Sequence, residues 1–273
     1  MRAPAEPGGD AAGPGPAIAA MRTRVGLVVA LFALAALGWL LTAREMRGMD
    51  AGPWTSLGSL GWFLGIWVVM MAAMMLPSVA PTVALYSRLT RTSAPLSPWM
   101  FAAGYLLTWA VAGVIAYGIG VIVGAIFGDA LAWDNAGRAV AGVTLVVAAV
   151  YELTPLKDVC LGACRSPLGA LLGSWRGGLR GALRMGVRNG AWCVGCCWAL
   201  MASLFALGVM SLTWMALVAG IIALEKLLPW RRVVTYATAA LLLVLGLLLL
   251  SAPNALPGLT TPSGMTMSVG LPR

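Results

Sequence analysis

The chain is organised as long apolar stretches separated by short segments that carry most of its charges and prolines. Seven stretches approach or exceed the roughly 20 residues that a helix needs to cross the hydrocarbon region of a bilayer. They cover residues 25–42, 57–80, 99–127, 136–153, 191–209, 212–228 and 233–251. The pattern predicts an all-α, polytopic transmembrane helix bundle of about seven spans. Because the fifth and sixth stretches nearly touch, a six-span bundle is the alternative.

The predicted bundle covers residues 25–251 and lies between two tails. Residues 1–24 contain a segment rich in Pro, Gly and Ala with few large apolar side chains, so we predict a disordered N-terminal tail. Residues 252–273 are rich in Pro, Ser and Thr and are predicted to form a flexible C-terminal tail.

Composition also favours a lipid environment. Of the 273 residues, 60% are hydrophobic and 10% are charged, whereas about 25% of residues are charged in ordinary soluble domains. So few ionised side chains could not cover the surface of a soluble protein of this size. The chain also has no histidine, which excludes histidine-ligated haem and the common imidazole sites for zinc and copper. We expect neither haem nor a nucleotide cofactor.

The distribution of cations predicts the topology. Fourteen of the 18 Lys and Arg residues fall on one side of the membrane when the N-terminus is placed in the cytoplasm. Such a bias follows the positive-inside rule. It predicts a multi-pass protein of the cell inner membrane with a cytoplasmic N-terminus.

The connection between the fourth and fifth predicted spans is basic. Arg176, Arg180, Arg184 and Arg188 recur every fourth residue, which places them on one face of a helix. We predict a cytoplasmic amphipathic helix that lies on the inner leaflet and contacts anionic lipid. Interspersed glycines leave a loosely structured basic loop as an alternative, and nucleic acid is not an expected partner.

Glycines four residues apart predict close packing between spans. Gly61 and Gly65 form such a pair, and Gly120, Gly124 and Gly128 extend the same spacing. Small residues at this spacing let neighbouring membrane helices approach each other closely. We expect this packing between helices of one chain, with dimerisation as the alternative.

All five cysteines lie within residues 160–197. Thr154 and Pro155 have the pattern of a helix N-cap followed by a first-turn proline, so a short helix should place Cys160 and Cys164 on one face. The other three, Cys193, Cys196 and Cys197, are spaced i, i+3 and i+4 and share a face of the fifth span. Scattered cysteines would be ordinary buried residues, but this clustering favours a functional site.

Four methionines and two acids supply further candidate ligands. The methionines Met70, Met71, Met74 and Met75 precede Pro77, which should bend the second span and free a backbone carbonyl. The alternative is that these methionines only pack in the apolar interior of the bundle, as Met residues in membrane helices commonly do. The acids, Glu152 and Glu225, lie near the ends of the fourth and sixth spans, where they could bind metal, reach water or pair with cations such as Lys157 and Lys226. The predicted topology brings all these residues to the cytoplasmic side of the bundle.

Four motifs carry a resemblance to a known family. They are MMAAMMLP at 70–77, YELTPLK at 151–157 with the two cysteines that follow it, CVGCCW at 193–198 and LEK at 224–226. These motifs resemble the signature of bacterial integral membrane proteins that are predicted to bind metal and are otherwise of unknown function. The resemblance extends over roughly residues 57–228. It implies that the cysteines, methionines and acids of these motifs bind a metal ion.

The chemistry of the candidate ligands narrows the choice of metal ion and leaves three functional hypotheses. Thiolates and thioethers favour Cu(I), whereas thiolates and carboxylates without thioethers suit zinc equally well. The first hypothesis is a membrane protein that binds a soft metal ion, with Cu(I) favoured, on the cytoplasmic side for storage, delivery or insertion into a membrane or periplasmic protein, with a metal transporter as a close variant. The second is an enzyme, either a thiol oxidoreductase or a metal-dependent membrane oxidase, and the third is a structural subunit of a membrane complex.

Overall fold

The computed structural model describes residues 16–45, 58–90, 96–127, 137–166, 177–207, 212–228 and 230–251. Within these ranges the chain forms eight α helices and no strand. The helices are α1 (Pro16–Glu45), α2 (Leu60–Leu89), α3 (Ser97–Phe127), α4 (Arg138–Glu152), α5 (Pro155–Arg165), α6 (Gly178–Leu207), α7 (Leu212–Leu227) and α8 (Arg231–Ser251). The predicted all-α class is confirmed for these residues. The predicted C-terminal tail lies outside them, as do residues 1–15, and α1 begins at Pro16 within the predicted N-terminal tail.

Four of the helices, α1, α2, α3 and α8, are long and apolar enough to cross a membrane. The pair α4 and α5, which meet at an angle of 67°, becomes a fifth candidate when taken as one bent span. Each of the seven predicted apolar stretches overlaps one helix. The helix α7 has 16 residues and is therefore about 24 Å long, which is shorter than the hydrocarbon region.

The helices α3 and α6 pack most closely, and glycines make this possible. A Cβ atom at Gly104 of α3 would overlap the backbone of Leu183, and one at Gly186 of α6 would overlap the carbonyl oxygen of Phe101. By contrast, a Cβ at Gly61, Gly65 or Gly124 would meet no atom of the described residues within 4 Å. The expected packing within one chain is therefore wrong at these three glycines. Glycine spacing shows that a neighbouring helix can approach closely, but it does not show which face of the helix that neighbour contacts.

The basic connection is continuous with the fifth predicted span. The helix α6 begins at Gly178 and runs without a break past its cysteines to Leu207, whereas the predicted span began at residue 191. Arg180, Arg184 and Arg188 are exposed on one face, as their spacing predicted, while Ala182 and Met185 on the opposite face are buried. The start of α6 therefore packs against α3 and is not a separate surface helix. Arg176 lies outside the described residues.

The break between α4 and α5 directs α5 along α6. The helix α4 ends at Glu152, and the side chain of Thr154 then accepts a hydrogen bond from the backbone N–H of Lys157, with Pro155 as the first residue of α5. This confirms the predicted cap. The new direction lets α5 contact both α6 and α7.

The helix α2 continues through Pro77 and Pro81 to Leu89, nine residues beyond the predicted end of its span. Its last turns pack against α3, where the rings of Tyr86 and Phe101 lie 5.4 Å apart. Met75 therefore lies near the middle of a long helix. It faces the region where α5, α6 and α7 meet.

Candidate metal site

Three cysteine sulfurs from two helices meet in the bundle. Cys164 lies in the last turn of α5, and Cys193 and Cys196 lie one turn apart near the middle of α6. Their Sγ atoms are all within 4.8 Å of one another. Cys193 and Cys196 are buried and Cys164 is half-buried, so Cys164 is the most exposed of the three. The two predicted thiol groups therefore come together.

The spacing of the three sulfurs suits a thiolate-bound ion. Three ligands placed about 2.3 Å from a common ion lie about 4 Å from each other, and the three sulfurs here all lie within 4.8 Å of one another. A fourth sulfur is next to them, since Cys197 Sγ lies 3.3 Å from Cys196 Sγ. The cluster can thus offer three soft donors, with a further thiol in contact.

The predicted methionines are all buried, and the sulfur of Met75 lies near the thiols. Its Sδ atom is 4.0 Å from Cys193 Sγ. Met70, Met71 and Met74 belong to the same apolar core. Thioether participation in the site is therefore supported at one position of α2.

Two further side chains contact Cys193, and sequence reasoning did not place either in the site. The hydroxyl oxygen of Tyr105 from α3 lies 2.9 Å from Cys193 Sγ. The ammonium group of Lys226 from α7 donates to the same sulfur over 3.0 Å and lies 3.3 Å from the hydroxyl oxygen of Ser78. The sequence signal for Lys226 was its position at the end of an apolar stretch, whereas Tyr105 had no local signal.

The predicted acidic ligands lie with a cation instead of with the sulfurs. Glu152 and Glu225 both pair with Lys157, whose ammonium group is 2.8 Å from either oxygen of Glu225. All three side chains are buried, and Glu152 Oε1 has no hydrogen-bond partner among the described residues. The pairing with Lys157 is the alternative that the sequence had left open.

The remaining predicted ligand, Cys160, packs against the backbone of α6 one turn away from the cluster. A Cβ at Gly195 would lie 2.9 Å from Cys160 Sγ. The carbonyl oxygen of Gly195 also accepts a hydrogen bond of 2.5 Å from the hydroxyl of Tyr151. These contacts fix α4 and α5 against α6 and leave Cys160 outside the group of three thiols.

Arg165 fixes the position of α7 relative to the cluster. Its guanidinium donates to the carbonyl oxygens of Glu225 and Leu228 over 2.8 and 2.6 Å. Carbonyls at the end of a helix lack partners within that helix, so this is a favourable cap. Arg165 directly follows Cys164, and it therefore holds the end of α7 next to the sulfur cluster.

A family model described as copper chaperone, PpoB2, matches residues 64–249. The chain belongs to the PpoB2 copper chaperone family. The match includes α3 to α7 entire and most of α2 and α8, and therefore every residue of the sulfur cluster. No curated protein and no solved structure showed significant similarity to the chain. Membership of this family, together with the three thiols, supports binding of a soft metal ion, with copper favoured.

Proposed function

We propose that the protein is a multi-pass copper chaperone of the bacterial inner membrane. It binds Cu(I) through the thiolates of Cys164, Cys193 and Cys196, with Met75 as a weaker thioether ligand. It then delivers the ion to a membrane or periplasmic protein. The observation that carries the proposal is the meeting of three cysteine sulfurs within 4.8 Å in a chain of the PpoB2 family.

The donor set favours Cu(I) over zinc. Zinc sites in proteins are completed by thiolate, imidazole or carboxylate ligands. The chain has no imidazole, both carboxylates predicted as ligands pair with Lys157, and the neighbouring thiol of Cys197 is not among the three whose sulfurs all lie within 4.8 Å of one another. A thioether near three thiols is a soft environment, which is what Cu(I) prefers.

Large exposed apolar side chains support a membrane location. They include Val29 on α1, Ile115 and Ile126 on α3 and Val244 on α8, each about half exposed or more. In water such surfaces would be unfavourable, whereas in a bilayer they contact lipid. We propose seven spans with a cytoplasmic N-terminus, which places the exposed arginines of α6 beside anionic lipid of the inner leaflet.

Delivery requires that the ion can leave the site. Cys164 is half-buried at the end of a short helix, whereas Cys193 and Cys196 are buried. An incoming ligand from a partner would therefore meet Cys164 first. Stepwise exchange of thiolate ligands, beginning at this residue, is the route that the geometry favours.

The test is Cu(I) binding by the purified protein in detergent, measured without oxygen by competition with a chromophoric Cu(I) chelator. We expect one Cu(I) per chain in the native protein. The variant with Cys164, Cys193 and Cys196 all replaced by serine should bind none while remaining folded. Cys160→Ser is the matched control and should retain binding, because Cys160 lies outside the cluster. Native protein that takes up no Cu(I) would refute the proposal.

A further inference from the structure

The sulfur cluster contains a fixed positive charge. The ammonium nitrogen of Lys226 lies 3.0 Å from Cys193 Sγ and 4.0 Å from Met75 Sδ, with the hydroxyl oxygen of Ser78 3.3 Å away. Over the residues that the structure describes, the ion pairs of the neighbouring acids are made with Lys157 and none is made with Lys226. The charge of Lys226 is therefore directed at the sulfurs.

We infer that Lys226 is a specificity-determining residue that makes the cluster discriminate against divalent ions. The inference rests on the proposed function, because it concerns the same three thiols. It assigns Lys226 neither a ligand role nor a purely structural one. Its ammonium group stays beside the ion and makes the binding free energy of any cation less favourable, by an amount proportional to the charge of that cation.

The physical reason is the form of Coulomb's law. The repulsion between a fixed unit charge and a bound ion is proportional to the charge of the ion, so it is twice as large for Zn²⁺ as for Cu⁺ at the same position. If Lys226 lowers the affinity for Cu⁺ by some factor, it lowers the affinity for Zn²⁺ by about the square of that factor. Low dielectric around buried side chains strengthens the effect.

The contacts of Lys226 keep its charge near the ion. Ser78 is on α2, and its hydroxyl also donates to the carbonyl oxygen of Met75, so the partner of the ammonium group is itself fixed. The end of α7 is held by the guanidinium of Arg165. A lysine tethered at both its backbone and its ammonium group does not simply withdraw when an ion enters.

Two variants distinguish the effect of the positive charge of Lys226 from the effect of its side-chain packing. Lys226→Leu removes the charge without adding a metal ligand, and Lys226→Arg keeps the charge. The affinities of native and variant protein for Cu(I) and for Zn(II) are measured by competition with chromophoric chelators for each metal. We expect the Zn(II) to Cu(I) affinity ratio to rise at least about tenfold in Lys226→Leu and to stay within about threefold of native in Lys226→Arg.

The outcomes distinguish this inference from the proposed function. If native protein binds Cu(I) but the ratio is unchanged or lower in Lys226→Leu, the inference is wrong and the proposed function stands. If native protein binds no Cu(I), the proposed function fails and the inference fails with it. Lys226→Gln, a second neutral variant, replaces Lys226→Leu if the leucine variant does not fold, and the same rise in the ratio is expected.

Discussion

Glu225 and Lys226 are neighbours in sequence, yet their side chains enter two different buried clusters. The carboxylate of Glu225 binds Lys157, 2.8 Å away, and thereby connects α7 to α5. The ammonium group of Lys226 lies against Cys193. One turn of α7 therefore connects a cluster of ions to a cluster of sulfurs, so a shift of this turn would affect both.

The ion cluster should be important for stability because it contains one cation for two acids. Replacing Lys157 with methionine would leave Glu152 and Glu225 buried without their counter-ion. Removing one partner of a buried pair typically costs about 3–5 kcal/mol. We expect a loss of this size in the free energy of unfolding, measured in mild detergent.

Restoring charge balance tests the explanation for Lys157. Combining Lys157→Met with Glu152→Gln and Glu225→Gln removes all three charges and should recover part of the lost stability. Arg188→Met, which removes an exposed cation, should change stability by less than about 0.5 kcal/mol. A Lys157→Met variant as stable as the native protein would contradict the prediction.

Helical periodicity alone predicts which residues of a single helix can lie together at the site. The spacing of Cys193 and Cys196 places both on one face of α6, and the cap at Thr154 was visible in the sequence. These predictions depend on one helix at a time. They succeed because the rise and turn of a helix determine which residues share a face.

The sequence pattern does not predict which residues of different helices are in contact. From the sequence, four methionines are equally good candidate metal ligands. Only the orientation of α2 against α6 shows that Met75 lies next to Cys193. Tyr105 reaches that cysteine across 88 positions of the chain, and no local pattern indicates this contact. Gly61 and Gly65 have the right spacing for close packing, but no described residue lies within 4 Å of a Cβ placed at either position.

The packing of α3 against α6 can be tested at a single glycine. A Cβ at Gly186 would overlap the carbonyl oxygen of Phe101, which belongs to the backbone and cannot move independently. Gly186→Ala should therefore destabilise the protein by about 1–3 kcal/mol. Thermal unfolding in detergent measures the change.

Gly61→Ala is the matched control for this prediction. Among the residues that the structure describes, none lies within 4 Å of a Cβ placed at Gly61, and alanine is more favourable than glycine in a helix by up to about 1 kcal/mol. This variant should be as stable as the native protein or more so. Equal effects of the two substitutions would mean that glycine at position 186 is not required for close packing.

Arg165 should affect copper binding although its contacts are made with carbonyl oxygens. Arg165→Gln removes both bonds to the end of α7, so the last turn of α5 and its ligand Cys164 are no longer fixed beside Cys193 and Cys196. Residues that orient ligands typically change metal affinity about 10- to 100-fold. We expect Cu(I) affinity, measured by chelator competition, to fall by about 10-fold in Arg165→Gln and by less in Arg165→Lys. Lower stability with unchanged affinity would assign Arg165 a structural role alone.

The role of Met75 can be separated from packing because leucine has a similar volume but no sulfur. Met75→Leu should cost less than about 1.5 kcal/mol of stability and lower Cu(I) affinity by about tenfold, since it removes a soft donor 4.0 Å from Cys193 Sγ. Met70→Leu makes the same change at another buried position of α2 and should leave affinity unchanged. X-ray absorption at the copper edge gives an independent readout, because a sulfur neighbour at a longer distance should be lost in Met75→Leu alone. If both variants bind Cu(I) as tightly as the native protein, the thioether is core packing and the thiols bind the ion without it.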